Sequence, residues 1–133
     1  MEVRFLSEAD YVILTTWWDF WRFPAPPEDM LPENGKGGLM VNFEDQHICA
    51  GFIYPTNSKI CWIEFVVSNY EVKDRELRKK GIKFLLDSLT ELAKQNGFKY
   101  IFSSIKHESL INSYLDCGFQ KGGENCTELI KLI

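Results

Sequence analysis

The chain has 133 residues, enough for one core and too few for two, so residues 1–133 read as a single domain. Hydrophobic residues make up 45% and charged residues 26%, and a net charge of −4 argues against wholesale nucleic-acid binding. No apolar run reaches the roughly 18 residues of a membrane span, and the opening MEVRFLSEAD lacks a signal-peptide layout. Cys49, Cys61, Cys117 and Cys126 form no close pair and have poor metal spacing even with His47 and His107. The expectation is a cytoplasmic protein with reduced thiols, no metal and no membrane partner.

Residues 2–6 alternate and read as a short strand. Ser7 followed by Glu8 and Asp10 reads as a capped helix start, with the helix running to about Arg22. That helix carries Tyr11, Leu14, Trp17, Trp18 and Trp21. Such a stripe is mostly core, but Trp17, Trp18, Phe20, Trp21 and Phe23 cannot all face one way, so one or two should line a cleft. Residues 24–38 hold four of the five prolines and form a long loop, either a cover or a surface excursion. Residues 39–44 and 47–54 read as antiparallel strands joined at Asp45-Gln46.

An apolar strand follows at 60–67, interrupted only by Glu64. Apolar residues at Leu77, Ile82, Leu85, Leu89 and Leu92 then mark a long helix that stops at Asn96-Gly97. Between them lies a basic junction of Lys73, Arg75, Arg78, Lys79, Lys80 and Lys83. A buried strand feeding a cationic helix start makes an anion cradle, since free amides and the dipole add to side-chain charge. The alternative is a solvated face with local ion pairs. Residues 99–105 form another strand, parallel to 60–67 because a helix intervenes. A short helix spans 108–117, with Leu110, Ile111, Tyr114 and Leu115 inward. Residues 119–121 and 127–133 close the chain as a hairpin. The order is β-α-β-β-β-α-β-α-β-β: an α/β (α+β) domain with a mixed, mostly antiparallel sheet of six or seven strands.

Two stretches within this order carry a resemblance. Arg78-Lys79-Lys80-Gly81-Ile82-Lys83 fits the Arg and first Gly of R-x-x-G-x-G/A, with Lys83 in place of the last small residue. Tyr114-Leu115-Asp116-Cys117-Gly118-Phe119 fits Tyr-x-x-x-Gly-Phe. With these motifs in place, the chain resembles the GNAT N-acetyltransferases over nearly its whole length. Val-Ser-Asn-Tyr-Glu after the 60–67 strand is similar to phage and prophage members. More residues than the family usually has separate Val67 from Gly81. Either the loop is longer, or the helix starts near Asp74. In the second case Gly81 falls inside the helix and the cradling amides come from about Asn69 to Glu76. The periodicity from Leu77 favours the second register.

The resemblance implies an enzyme that moves acetyl from acetyl-CoA directly to a primary amine. It implies pantetheine held between strands 60–67 and 99–105 by the amides of Phe65, Val66 and Val67. The coenzyme's anionic end then falls to Asn69, Lys73, Arg75, Arg78, Lys79, Lys80 and Gly81. Tyr114 matches the acid for the thiolate, or packs under the sheet with its hydroxyl in solvent. Glu64 is the candidate base, since a lone acid in an apolar strand is costly unless solvated or useful. It shares a face with Trp62 and Val66 by alternation, and pairing with a lysine on a wet face is the alternative. His107 stands where the family has Asn, and it either touches cofactor or is an exposed loop histidine. Trp17, Trp18, Trp21 and Phe23 would wall the acceptor, a small molecule or a peptide amine. A GNAT-shaped protein that has lost catalysis and serves as a CoA-binding or protein-interaction module is the competing reading. The C-terminal hairpin could also pair with a second copy as a homodimer.

Overall fold

The computed structural model describes residues 1–133. Its elements are β1 (Glu2–Phe5), α1 (Asp10–Phe20), β2 (Gly38–Phe43), β3 (Gln46–Pro55), β4 (Ile60–Ser68), α2 (Arg75–Gln95), β5 (Tyr100–Phe102) and α3 (Glu108–Asp116). The strands lie in one sheet in chain order, antiparallel except for the parallel β4–β5 pair. The α2 crossover dictates that exception, because a strand that returns through a helix re-enters in the same direction.

The sheet is covered on both faces, so its strands bury side chains on each. On one face α1 seats Leu14, Trp17 and Trp18 against Met40, Ala50, Phe52 and Val67. On the other, α2 seats Leu85, Leu86 and Leu89 against Leu39, Val41, Ile48 and Ile63, and Tyr114 of α3 joins them. No helix is long and apolar enough to cross a membrane.

α1 starts later than its sequence signals suggest. Ser7 does not cap it; Asp10 reaches back instead, accepting from the Ser7 amide at 2.7 Å and the Ser7 hydroxyl at 3.0 Å. Asp10 also takes two bonds from the Arg4 guanidinium, at 2.7 and 2.9 Å. Burial alone would push the Asp10 carboxyl up, but Arg4 and Ser7 outweigh it and hold it at about 2. The β2–β3 turn sits one residue earlier than expected, on Glu44 and Asp45, both with positive φ.

The last two expected strands are absent, and the sheet has five strands rather than six or seven. Residues 119–133 follow α3 without helix or strand. β5 also stops at Phe102 rather than 105, and Leu115 on α3 is outward rather than inward.

α2 begins at Arg75, capped by Asp74, whose carboxylate accepts from the Glu76 and Leu77 amides at 3.0 and 3.3 Å. Of the two sequence registers, the second therefore holds. Gly81 is buried in the second turn of the helix, pressed on β3, where a Cβ would come within 2.4 Å of Ile48 Cγ2. Its small size serves helix–sheet contact rather than a ligand. Gly81→Ala is thus expected to destabilise the fold by about 1–3 kcal/mol in urea unfolding despite alanine's better helix propensity. It should leave coenzyme A affinity unchanged once the protein is folded.

Candidate active site

The site starts from an irregularity in β4. Its ladder with β3 pairs Ala50 with Val67 but Phe52 with Glu64, so Phe65 and Val66 together oppose Gly51. This is a β-bulge, and Phe65 sits in it at φ 56°. A left-handed phenylalanine costs about 1–3 kcal/mol. The ring offsets this by lodging beside Trp18, Phe23 and Tyr54, with centroids 6.3–6.4 Å away. The extra residue reverses the strand's parity. Ile63 faces α2, yet beyond the bulge it is Val66 that packs there while Val67 joins the α1 side. Glu64, paired with Phe52, stays on the α1 side. It therefore does not share a face with Val66, as simple alternation predicted.

The second irregularity is the early end of β5. The parallel ladder stops at Trp62 with Phe102. Two side chains then take the place of its next rungs. The Ser103 hydroxyl donates to the Ile63 carbonyl at 2.6 Å, and the Ser104 amide donates to Glu64 Oε1 at 2.6 Å. A carboxylate thus stands where a backbone carbonyl would serve, and the regular pairing of the two strands ends there. Burial pushes the Glu64 carboxyl up to about 7; the Ser104 bond pulls it down and the Glu128 charge pushes it up. Tyr114 approaches the same opening from α3. It is buried, packed edge-on to Phe119 at 4.8 Å, and its hydroxyl faces Ser103. Burial raises that hydroxyl far above the usual phenol range, Ser103 offsets part of this, and Glu64 and Cys117 raise it further. The adjacent residues Ser103 and Ser104 thus stand between the two candidate catalytic groups, Ser104 bonding Glu64 and Ser103 facing Tyr114. Sequence reading missed them, although two serines in the apolar run 100–105 were a signal.

The basic junction is organised by Asn69. Its side chain donates to the His47 carbonyl at 2.8 Å and accepts from the Glu71 amide at 2.9 Å, so it fastens the turn and is not free for a ligand. The amides of Tyr70, Lys73, Asp74 and Arg75 have no acceptor within the chain. They lie in the same turn as the exposed Lys73 and Arg75, and Lys79 and Lys80 stand exposed one helical turn further on. Together these can hold an anion. The Asp74 carboxylate works against it, because it already occupies the first amides of α2. Arg78 turns inward, donating to the Val72 carbonyl and lying 5.9 Å above the Trp21 ring.

Trp17 and Trp18 are each 2% exposed and belong to the core, so they do not wall a cleft. Trp21 and Phe23 do reach the surface, as the crowding on α1 required. The Trp21 indole donates to the Ser68 carbonyl at 2.9 Å, and Phe20 stacks on Tyr70 at 4.3 Å, so the end of α1 braces the basic turn. Phe23 stands beside Phe65. Trp62 and Phe102 add an exposed aromatic pair, 5.2 Å apart, on the ladder just before the opening. His107 is exposed at the start of α3, its Nδ1 2.9 Å from the Ser109 hydroxyl.

No protein-family model matches the sequence, and no curated protein sequence does. Solved structures do. The fold is that of GNAT-type acetyltransferases. A probable acetyltransferase superposes with a TM-score of 0.72 at 15% identity, covering 100% of this chain and 99% of that one. A ribosomal-protein-alanine N-acetyltransferase from Brucella melitensis gives 0.68 at 16%, covering 92% and 86%. N-acetylglutamate synthase from Neisseria gonorrhoeae, complexed with coenzyme A and L-arginine, gives 0.72 at 11%, covering 96% of this chain and 29% of that one. At such identities the likeness is one of fold.

The raised Glu64 pKa has a stability consequence. Between the ordinary value of 4.5 and about 7 the folded state holds a proton that the unfolded state has lost, so stability falls as pH rises through that window. Carboxyl-carbon NMR should place the Glu64 midpoint near pH 7, and Glu128→Gln should lower it. A midpoint near the ordinary glutamate value would mean that the carboxyl is solvated.

Proposed function

We propose that this protein is a cytoplasmic acetyl-CoA-dependent N-acetyltransferase that moves an acetyl group directly to a primary amine of a small-molecule or peptide acceptor. The observation that carries this reading is the opening of β4 from β5, with Glu64 and Tyr114 reaching it from opposite sides of the sheet. Four unpaired cysteines, two of them buried, support the compartment.

When bound, acetyl-CoA supplies a thioester-activated acetyl group. Everything else falls to the chain. The separated strand edges accept an extended pantetheine arm between them, and the backbone amides from Phe65 to Val67 lie where a thioester carbonyl would be polarised. The unpartnered amides of Tyr70, Lys73, Asp74 and Arg75, with the Lys73 and Arg75 side chains, would hold the pyrophosphate. Trp62, Phe102 and Phe23 border the acceptor side. Glu64 takes the proton that the ammonium must lose before its nitrogen can attack, and a carboxyl tuned to about 7 is suited to that exchange near neutrality. As the C–N bond forms and the C–S bond breaks, the Tyr114 hydroxyl gives its proton to the departing sulfur, and the second proton shed by the acylated nitrogen restores the hydroxyl. Its raised pKa keeps that proton in place until then.

The second reading is a GNAT-shaped binding module without catalysis. Asp74 on the helix amides, Asn69 consumed by the turn and Gly81 turned to the sheet support it. Calorimetry with acetyl-CoA, followed by amine-dependent release of free thiol, separates the two. Binding without turnover over a broad amine panel supports a coenzyme A-binding module, and no binding at millimolar ligand sinks the enzyme and leaves a protein-interaction module.

For the enzyme, the rate should rise with pH through an apparent pKa near 7. Glu64→Gln should abolish that limb and lower kcat by about 10²–10⁴-fold. Tyr114→Phe should lower kcat with KM for acetyl-CoA little changed. Asp74→Ser keeps a cap but removes the charge, and calorimetry should show coenzyme A binding about two- to fivefold tighter.

A further inference from the structure

Three aromatic residues stand abreast on neighbouring strands. The ladder pairs Tyr54 on β3 with Trp62 on β4, and Trp62 with Phe102 on β5. Paired residues point to one face of a sheet, and Phe52, two residues before Tyr54, lies among the residues packed on the α1 side. The row therefore belongs to that face. Trp62 and Phe102 are 36% and 50% exposed with their rings 5.2 Å apart, so α1 leaves this aromatic surface open to water. Tyr54 ends the row on β3, its hydroxyl donating to the Met30 carbonyl at 2.9 Å.

One step further along the same face stands Glu64, opposite Phe52 and half-buried. Its Oε1 accepts from the Ser104 amide, and its Oε2 has no donor within the chain. Neither salt bridge of the protein includes Glu64, so the lysine pairing that a wet face would have allowed is not made. The charge that acts on it, Glu128, has the same sign. A carboxylate with a free oxygen, no cation and a row of rings beside it suits a ligand that is aromatic at one end and cationic at the other.

Spacing and charge narrow that ligand. Trp62 to Glu64 and Phe102 to Ser104 are each two residues, roughly 7 Å along a strand. A ring resting on the Trp62–Phe102 pair and an ammonium bonded to Oε2 are then separated by a linker of about two carbons. Edge and offset contacts favour a ring there over an alkyl chain. Glu64 and Glu128 together repel a carboxylate carried beside the amine.

We propose that this face takes a 2-arylethylamine as the acceptor: a primary amine two carbons from an aromatic ring, with no carboxylate beside it. Its nitrogen, once it has given a proton to Glu64, takes the acetyl carbon from sulfur, and the thiol leaves with the Tyr114 proton. Acetylation of that amine rests on the acetyltransferase reading, whereas the binding face rests on its own geometry.

Thiol release at saturating acetyl-CoA should give 2-phenylethylamine a kcat/KM at least about tenfold above hexylamine, benzylamine, spermidine and phenylalanine. Trp62→Leu and Phe102→Leu should each raise KM for 2-phenylethylamine about two- to tenfold and erase its advantage over hexylamine, with coenzyme A affinity unchanged; Trp62→Phe should retain the advantage. Equal or better turnover of any of the other four, or an advantage that survives both leucine changes, would overturn the aromatic acceptor and leave the acetyltransferase reading standing. So would a preference for phenylalanyl-glycine amide, which points to a peptide N-terminus. No turnover of any amine fails the acetyltransferase reading instead, and fluorine NMR then decides the face. Broadening of 4-fluorophenylethylamine by the wild type and not by the Trp62→Leu, Phe102→Leu double variant keeps the binding face; broadening by both or by neither sinks it.

Discussion

The structure turns on one hydrogen bond between a carboxylate and a backbone amide. Glu64 and Ser104 lie 40 residues apart, and their bond ends the parallel ladder after three rungs. Beyond Phe102 the strand runs into Ser103 and Ser104, which bond the Ile63 carbonyl and Glu64 instead of extending the ladder. Placing a carboxylate in that ladder has a desolvation cost, visible as the lifted pKa. It also replaces strand-to-strand backbone bonds by side-chain ones, Ser103 to the Ile63 carbonyl and Glu64 to the Ser104 amide. The bulge at Phe65 cooperates with it: the strand turns its parity at the position where its neighbour departs, so side chains from both faces of the sheet meet at one opening.

The anion turn rests on a different principle. Loops that bind phosphate commonly rely on glycine, so that backbone amides can approach closely. Here the nearby Gly81 lies inside α2 and serves helix packing, so the proposed phosphate contact falls to unpartnered amides and side-chain charge. Asn69 pins the loop from within, Arg78 ties Val72 to Trp21, and Phe20 closes on Tyr70. The aromatic end of α1, far from the turn in sequence, is therefore part of its frame.

Much of this was written plainly in the chain. The run at 60–67, the period from Leu77 to Leu92 and the Asn96-Gly97 stop place β4 and α2 within a residue or two. Glu64 stands out as the one acid in an apolar strand. The bulge was not legible, because a phenylalanine at positive φ carries no side-chain signature; tertiary packing around Phe65 holds it there. Trp17 and Trp18 could not be told from Trp21 by composition, since a few residues of helical rotation decide which side of α1 meets the core. Ser7 and Asp10 both bear capping groups, and only the position of Arg4 shows why Asp10 turns back. Residues 127–133 have a strand's pattern, but a pattern does not supply a neighbour.

The Trp21–Ser68 and Glu64–Ser104 bonds join distant parts of the chain. They span 47 and 40 residues, whereas the hairpins β2–β3 and β3–β4 close over a few. Contacts of that span carry a larger closure entropy than the hairpins, and the β1–β2 and β4–β5 pairings share it, with partners 34–40 and 40 residues apart. The meander of β2, β3 and β4 is thus the local part of the fold, and both edges of the sheet, with the opening beside β5, are its long-range part.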